Sequence, residues 1–196
     1  MNYNLKIIVF ILILGAITSG LITGVDLLTK DRIAENELAE IKSTVLDAYG
    51  ISYNFNNIHE VFDDRVETLS IQYEDETYVF YVDRVTSRVS FEFLGNGLWG
   101  PISGIISLDR DFETIIQVKV LVQQETPGLG GIVAENSFLS QFPGVKMTPE
   151  LIISRNADPN LENEVDAITG ATGTSNAFGR LLNQNYARFR AAWESR

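Results

Sequence analysis

The sequence contains no cysteine and a single histidine. The absence of thiols excludes disulfides, thiolate metal sites, cysteine-ligated iron–sulfur clusters and cysteine nucleophiles. His59 has no second histidine with which to share a metal ion, so we expect it at the surface or in a turn and predict no metal site. Redox chemistry in this chain would therefore need a borrowed cofactor.

The sequence is also poor in basic residues, with 15 Lys and Arg against 26 Asp and Glu and a formal net charge of −11. Because nucleic-acid binding relies on clustered Lys and Arg, we predict no nucleic-acid partner. The chain lacks a G-x-S-x-G sequence, a P-loop and a G-x-G-x-x-G sequence as well. Nothing in the pattern therefore indicates a nucleotide held by a doubly wound fold.

Charged residues are absent from residues 7–25, between Lys6 and Asp26. This apolar run is close to the roughly 20 residues that a helix needs to cross a bilayer. A cleavable signal peptide is the alternative, but the run exceeds the usual apolar core and no A-x-A site follows it. We predict a retained transmembrane helix at 7–25 and a linking helix at 26–50, and composition alone does not settle the orientation.

The rest of the chain, 51–196, has the pattern of one α+β domain. β-Branched and aromatic residues alternate at 66–73, 77–85 and 87–93, and two further apolar segments at 102–109 and 114–124 read as a hairpin. We predict an antiparallel-rich sheet with flanking helices, including a short helix at 134–142. The apolar spacing after Ser175 predicts an amphipathic helix packed on the sheet, and 151–155 predicts one more strand.

Two loops rich in small residues separate these elements. The first is E-T-P-G-L-G-G at 125–131, and the second is D-A-I-T-G-A-T-G-T-S at 166–175. In one interpretation the second loop is only a helix start, capped by Thr172, Thr174 or Ser175. In the other, converging N–H groups and the helix dipole make it a site for a phosphate group.

The string D-A-I-T-G-A-T resembles the flavinylation motif D-x-x-[ST]-G-A-[ST]. This motif belongs to FMN-binding domains in the C subunit of the sodium-pumping NADH:quinone reductase (Nqr) and the G subunit of the Rnf complex. The resemblance implies that Thr172 is esterified to the phosphate of FMN by a flavin transferase that takes the group from FAD. It also implies that Asp166 is the acid associated with transfer, and Thr174 ranks second as acceptor. The other matched positions are Thr169, Gly170 and Ala171.

The loop at 125–131 is similar to the E-T-P-G-L-G signature of the same family, and G-L-W-G at 97–100 begins a further similar segment. The resemblance implies that this loop lies against the flavin, with Glu125 among the contacts. Thr126 would offer a hydroxyl and Leu129 would cover the ring. Trp99 is as consistent with the core as with a cofactor contact. The remaining predicted contacts are Gly128 and Gly130, which would let the backbone approach the ring.

The resemblance implies an electron-relay subunit with covalent FMN and no substrate site of its own. Its expected partners are the other membrane subunits of an Nqr-type complex, a flavin transferase for maturation, and the membrane. We expect a single-pass protein of the cell inner membrane, with residues 1–6 cytoplasmic and 51–196 extracytoplasmic. An Rnf-type complex, a non-redox ligand-binding module and a free-standing flavin reductase remain as alternatives.

Overall fold

The computed structural model describes residues 3–196, so the predicted N-terminal segment at 1–6 lies partly outside the described residues. Helix α1 (Tyr3–Ala48) runs without a break through the predicted transmembrane and linking segments. By length and composition it could cross a membrane. Gly50 follows its end with a φ of +68°, a left-handed conformation that suits glycine after a helix. The chain forms two compact units, one ending at Ile41 and one spanning Lys42–Arg196.

The second unit is built on an antiparallel sheet of five strands in sequential order. Each strand pairs with its neighbour in the chain, because short turns connect alternating apolar segments. The predicted sheet and the α+β class are confirmed. The strands are β1 (Val66–Tyr73), β2 (Glu76–Asp83), β3 (Val89–Asn96), β4 (Pro101–Leu108) and β5 (Ile115–Val122).

The closing helix α4 (Thr172–Glu194) packs on this sheet, as the apolar spacing predicts. Phe91 of β3 stacks on Phe189 with 4.2 Å between ring centroids, and Phe93 meets Phe178 edge to face at 5.9 Å. Burial of each such ring contributes about 1.5–3 kcal/mol. This packing fixes the first turn of α4 beside the β3–β4 connection.

The connections contain elements that the sequence pattern did not predict. Helix α2 (Ile58–Arg65) contains His59, where a surface or turn position was expected. The predicted helix at 134–142 is a 3-10 helix (Gly130–Ala134) followed by the short helix α3 (Asn136–Leu139).

The predicted strand at 151–155 is present as β6 (Ile152–Ser154). It pairs in parallel with β7 (Glu164–Asp166) in a separate two-stranded sheet. The sequence pattern did not predict β7, which follows a polar stretch at 156–163. β7 places Asp166 at a strand end and leaves residues 167–171 to connect that strand to α4.

Candidate functional site

The buried carboxylate of Glu125 connects three segments of the chain. Its Oε1 accepts hydrogen bonds from the backbone N–H groups of Leu98 at 2.8 Å and Trp99 at 2.9 Å. Its Oε2 accepts a hydrogen bond from Oγ1 of Thr174 at 2.6 Å. The turn between β3 and β4, the loop after β5 and the first turn of α4 therefore meet at one side chain. These three hydrogen bonds are called the Glu125 junction below.

Two glycines leave room for the Glu125 junction. A Cβ added to Gly97 would lie 2.4 Å from Oε1 of Glu125, and one added to Gly130 would lie 2.7 Å from Oε2. The added atom at Gly130 would also lie 2.5 Å from Oγ1 of Thr174. Gly130 is buried, and its lack of a side chain leaves space for the Glu125 carboxylate. The sequence alone did not indicate this reason for a glycine at position 130. Gly128 differs, since it has open space and a φ of +72° that suits glycine.

The Glu125 junction favours the charged form of the carboxyl group. Burial by itself raises the pKa of Glu125, but the hydrogen bonds from the Thr174 hydroxyl and the N–H groups of Trp99 and Leu98 outweigh burial and hold that pKa below its usual range. A buried charge is tolerated only when hydrogen bonds replace its hydration. Glu125 is therefore an ionised acceptor at neutral pH.

The predicted flavinylation motif forms the connection from β7 to α4, in which Ile168 and Ala171 are buried. Oδ1 of Asp166 accepts a hydrogen bond from the N–H of Ala157 at 2.8 Å, and the N–H of Asp166 donates to Oε1 of Gln141 at 3.0 Å. Thr169 and Gly170 are exposed, and Gly170 has a φ of +82°. The hydrogen bonds of Asp166 thus hold the start of the motif to loop residues, whereas the Glu125 junction holds Thr174, two residues after the motif ends.

Helix α4 begins without a side-chain cap. Its N-cap residue is Ala171, and none of the three hydroxyl residues considered for capping takes that position. Ser175 instead accepts a hydrogen bond from the N–H of Ile168 at 3.0 Å and donates one to the carbonyl of Ala171 at 3.1 Å. The capping interpretation is therefore wrong. No side chain caps the N–H groups of the first turn of α4.

The two candidate acceptor hydroxyls differ in exposure. Thr174 is 2% exposed, and its hydroxyl proton is directed to Glu125. Thr172 is exposed at the first position of the helix. Only the Thr172 hydroxyl is therefore open to an enzyme or a ligand, in agreement with the order that the motif implies.

Three large apolar side chains remain exposed around this helix start. Leu98 is 54% exposed, Trp99 is 72% exposed and Leu129 is 47% exposed. A Cβ added to Gly173 would lie 2.9 Å from Cδ2 of Leu98, and one added to Gly170 would lie 3.6 Å from Cδ2 of Leu129. Leu98 and Leu129 therefore adjoin the segment that carries Thr172, and Trp99 follows Leu98 in the same turn. These three residues are called the apolar patch below.

The apolar patch decides two points that the sequence left open. Trp99 is not a core residue, so that alternative is wrong. The sequence analysis did not identify Leu98, although an apolar pair inside a turn bounded by two glycines was the available signal.

Thr126 is exposed, and its carbonyl accepts hydrogen bonds from Leu129 and Gly131 that shape the loop. Exposed apolar groups clustered on a domain commonly mark a binding surface.

Within residues 3–196, no group of three or more histidine and acidic side chains is arranged to hold a metal ion. The site therefore consists of an exposed hydroxyl, an uncapped helix start and an apolar patch. This combination can hold an anionic group beside an apolar, planar one.

Comparison with known proteins agrees with this geometry. Residues 97–187 match the family model described as the FMN-binding domain. The C subunit of the Na(+)-translocating NADH-quinone reductase from Pasteurella multocida is 37% identical over 95 residues, covering 46% of this chain and 36% of the relative. The corresponding protein from Vibrio vulnificus is 34% identical over 96 residues, covering 46% and 38%. The match thus spans little more than a third of these relatives' length.

Solved structures share the fold. NqrC of Shewanella oneidensis superposes with a TM-score of 0.67 and 21% identity, covering 77% of this chain and 91% of that one. The C subunit of the Na(+)-translocating NADH-quinone reductase from Parabacteroides distasonis gives a TM-score of 0.67 and 23% identity, covering 82% and 96%. The predicted resemblance to this family is confirmed.

Proposed function

Because residues 97–187 match the FMN-binding domain, we propose that this chain carries FMN covalently on Thr172 and relays electrons as a component of a membrane redox complex that resembles the Nqr C subunit. The observation that carries this proposal is the exposed Thr172 hydroxyl at an uncapped helix start, inside a complete D-x-x-T-G-A-T string. Bound FMN would supply the capacity to accept and release electrons.

The start of α4 suits the phosphate of the cofactor. A phosphodiester on Oγ1 of Thr172 keeps one negative charge, which the free N–H groups of the first helical turn and the positive end of the helix dipole stabilise. The contribution of such a dipole is about 0.3–1 kcal/mol at an exposed site. The helix start thereby replaces the lysine or arginine that would otherwise neutralise a phosphate.

The apolar patch suits the ring system. Leu98 and Leu129 offer exposed apolar surface next to Gly173 and Gly170, and the exposed Trp99 follows Leu98 in the chain. A planar aromatic ring that covers these side chains removes apolar area from water, at about 25 cal/mol per Å². The patch would therefore orient the ring while leaving its other face to partner subunits.

Attachment requires a reaction that the flavin transferase performs. Oγ1 of Thr172 forms the new bond to the FMN phosphorus, the phosphoanhydride bond of FAD breaks, and AMP leaves. The hydroxyl proton is lost in the same exchange, so the chain gains one FMN less one water. The buried Thr174 hydroxyl, which donates to Glu125, is closed to this reaction.

The relatives support a proposed place of the chain in a membrane complex. The curated relatives named above are subunits of Na(+)-translocating NADH-quinone reductases, which favours an Nqr-type over an Rnf-type assembly. Helix α1 would anchor the chain in the membrane. We propose that the domain lies on the extracytoplasmic side and exchanges electrons with neighbouring membrane subunits.

The test is the intact mass of the denatured full-length chain after co-production with a flavin transferase. We expect the wild-type protein and Thr172→Ser to gain one FMN less one water, and Thr172→Ala to gain nothing. Thr68→Ala, which deletes an exposed hydroxyl on β1, is the matched control and should load fully. A wild-type chain without the added mass, or loading that survives Thr172→Ala, contradicts the proposal, and a colourless wild type favours the non-redox alternative.

A further inference from the structure

Both oxygens of the Glu125 carboxylate accept hydrogen bonds from the protein itself, and the residue is 4% exposed. One oxygen accepts from Leu98 and Trp99, and the other accepts from Thr174. The resemblance implies that Glu125 contacts the flavin, but at 4% exposure its carboxylate offers a cofactor almost no surface while these donors hold it. The geometry therefore indicates that Glu125 acts through other groups.

We propose that Glu125 is a positioning residue, whose carboxylate ties the Leu98–Trp99 turn to the first turn of α4 and thereby fixes the ring of the flavin carried by Thr172. This inference rests on the proposed function, because it concerns the same site. It assigns the attachment of the cofactor and the orientation of its ring to different residues. Thr172 provides the attachment, and the Glu125 junction provides the orientation.

The connectivity of the junction supports this division. Two of the three apolar patch residues, Leu98 and Trp99, are held by Oε1 through their own N–H groups. Thr174, held by Oε2, is two residues after the attachment site on the same helical turn. A single carboxylate thus joins the apolar patch to the helical turn that carries Thr172. Glu125 lies 27 residues after Leu98 and 49 residues before Thr174 in the sequence.

The Glu125 carboxylate is closely packed by the surrounding backbone. The carboxylate occupies the space that a Cβ at Gly97 or Gly130 would take, so the backbone of both glycines lies against it. A carboxylate accepts hydrogen bonds at both oxygens, which suits a position that faces three donors. Its removal leaves two part-buried N–H groups and one hydroxyl without their acceptor, so the β3–β4 turn loses its hydrogen-bonded link to Thr174 of α4.

The first measurement uses the full-length chain produced without the flavin transferase. Amide exchange at Leu98 and Trp99, followed by NMR, should accelerate about tenfold in Glu125→Ala, because each amide loses its acceptor. Glu135→Ala, which removes an exposed carboxylate near the 3-10 helix, is the matched control and should exchange as the wild type does. Unchanged exchange in Glu125→Ala overturns the proposal.

The second measurement uses the loaded chain and reports on the ring. Glu125→Ala and Thr174→Val should keep one FMN by mass, while the anisotropy of flavin fluorescence falls because the ring is no longer held. Thr174→Ser keeps the hydroxyl and should restore the wild-type anisotropy. Thr174→Val serves as the independent variant if Glu125→Ala does not fold, which circular dichroism reports.

The outcomes separate the two proposals. Wild-type anisotropy in the loaded Thr174→Val and Glu125→Ala chains overturns the positioning role and leaves covalent attachment intact. A wild-type chain that takes up no FMN contradicts the proposed function, and the positioning role falls with it even if amide exchange responds. Loss of the FMN mass in Thr174→Val, with Thr174→Ser also unloaded, would show that Thr174 takes part in attachment and contradict the division of roles.

Discussion

At the residue scale, two threonines two positions apart have different roles because their surroundings differ. Thr172 is exposed and Thr174 is 2% exposed with its proton on Glu125. Sequence alone ranks them only by the register of a motif, whereas burial and hydrogen bonding give a physical reason for the same order. The contact with Glu125, which lies 49 residues earlier, is a tertiary feature that no local pattern carries.

Because Glu125 is ionised, the free energy of unfolding depends on pH. Its folded pKa is lowered, whereas an unfolded glutamate has a pKa of about 4.3. The contribution of the charged group is therefore complete above about pH 5 and is lost as the pH falls through the folded pKa. In urea unfolding, the wild-type free energy should decline more steeply between about pH 5 and pH 3 than that of Glu125→Gln. Parallel pH profiles for the two proteins would contradict an ionised Glu125.

At the element scale, periodic patterns predicted the long elements and failed for the short ones. The five strands and α4 were found because alternation and helical spacing persist over eight or more residues. Strand β7 has three residues, Glu164–Asp166, and its pairing with β6 is a contact in space. Both loops of the site were recognisable from their small residues, but their meeting at Glu125 depends on the packing of the whole sheet against α4.

The loop glycines next to Glu125 give a prediction at this scale. Gly130→Ala should lower the free energy of unfolding by about 1–3 kcal/mol, because the new methyl group overlaps Glu125 and Thr174 in a packed site. Gly20→Ala adds the same group to α1 where nothing lies within 4 Å and should leave the unfolding of the domain unchanged. Urea denaturation compares them, and a Gly130→Ala chain as stable as the wild type would show that the junction relaxes freely.

At the scale of the whole molecule, charge and hydropathy are separated along the chain. The apolar span at 7–25 is free of charged residues, while the chain as a whole has a net charge of −11. An acidic domain is repelled by anionic lipid headgroups, so any stable membrane attachment falls to α1. Neither the net charge nor the apolar span predicts a flavin. That expectation came from the loops at 125–131 and 166–175.

The role of α1 is open to a direct test. The full-length chain should remain with the membrane fraction after washes in high salt and in alkaline carbonate, because burial of the apolar span does not depend on ionic contacts. Replacement of Ile13 by Lys, in the middle of the span, should weaken retention, since a charge at the bilayer centre costs about 2.5–3.5 kcal/mol. Release of the wild-type chain by either wash contradicts a retained anchor.

The central claim is a covalent bond between one side chain and one flavin. The most direct measurement is fragment mass spectrometry of the peptide that spans residues 166–180, taken from the loaded, denatured and digested full-length chain. The account predicts the mass of FMN less water on Thr172, with Thr169, Thr174 and Ser175 unmodified. An unmodified peptide, or the added mass on any of those three hydroxyls, contradicts it.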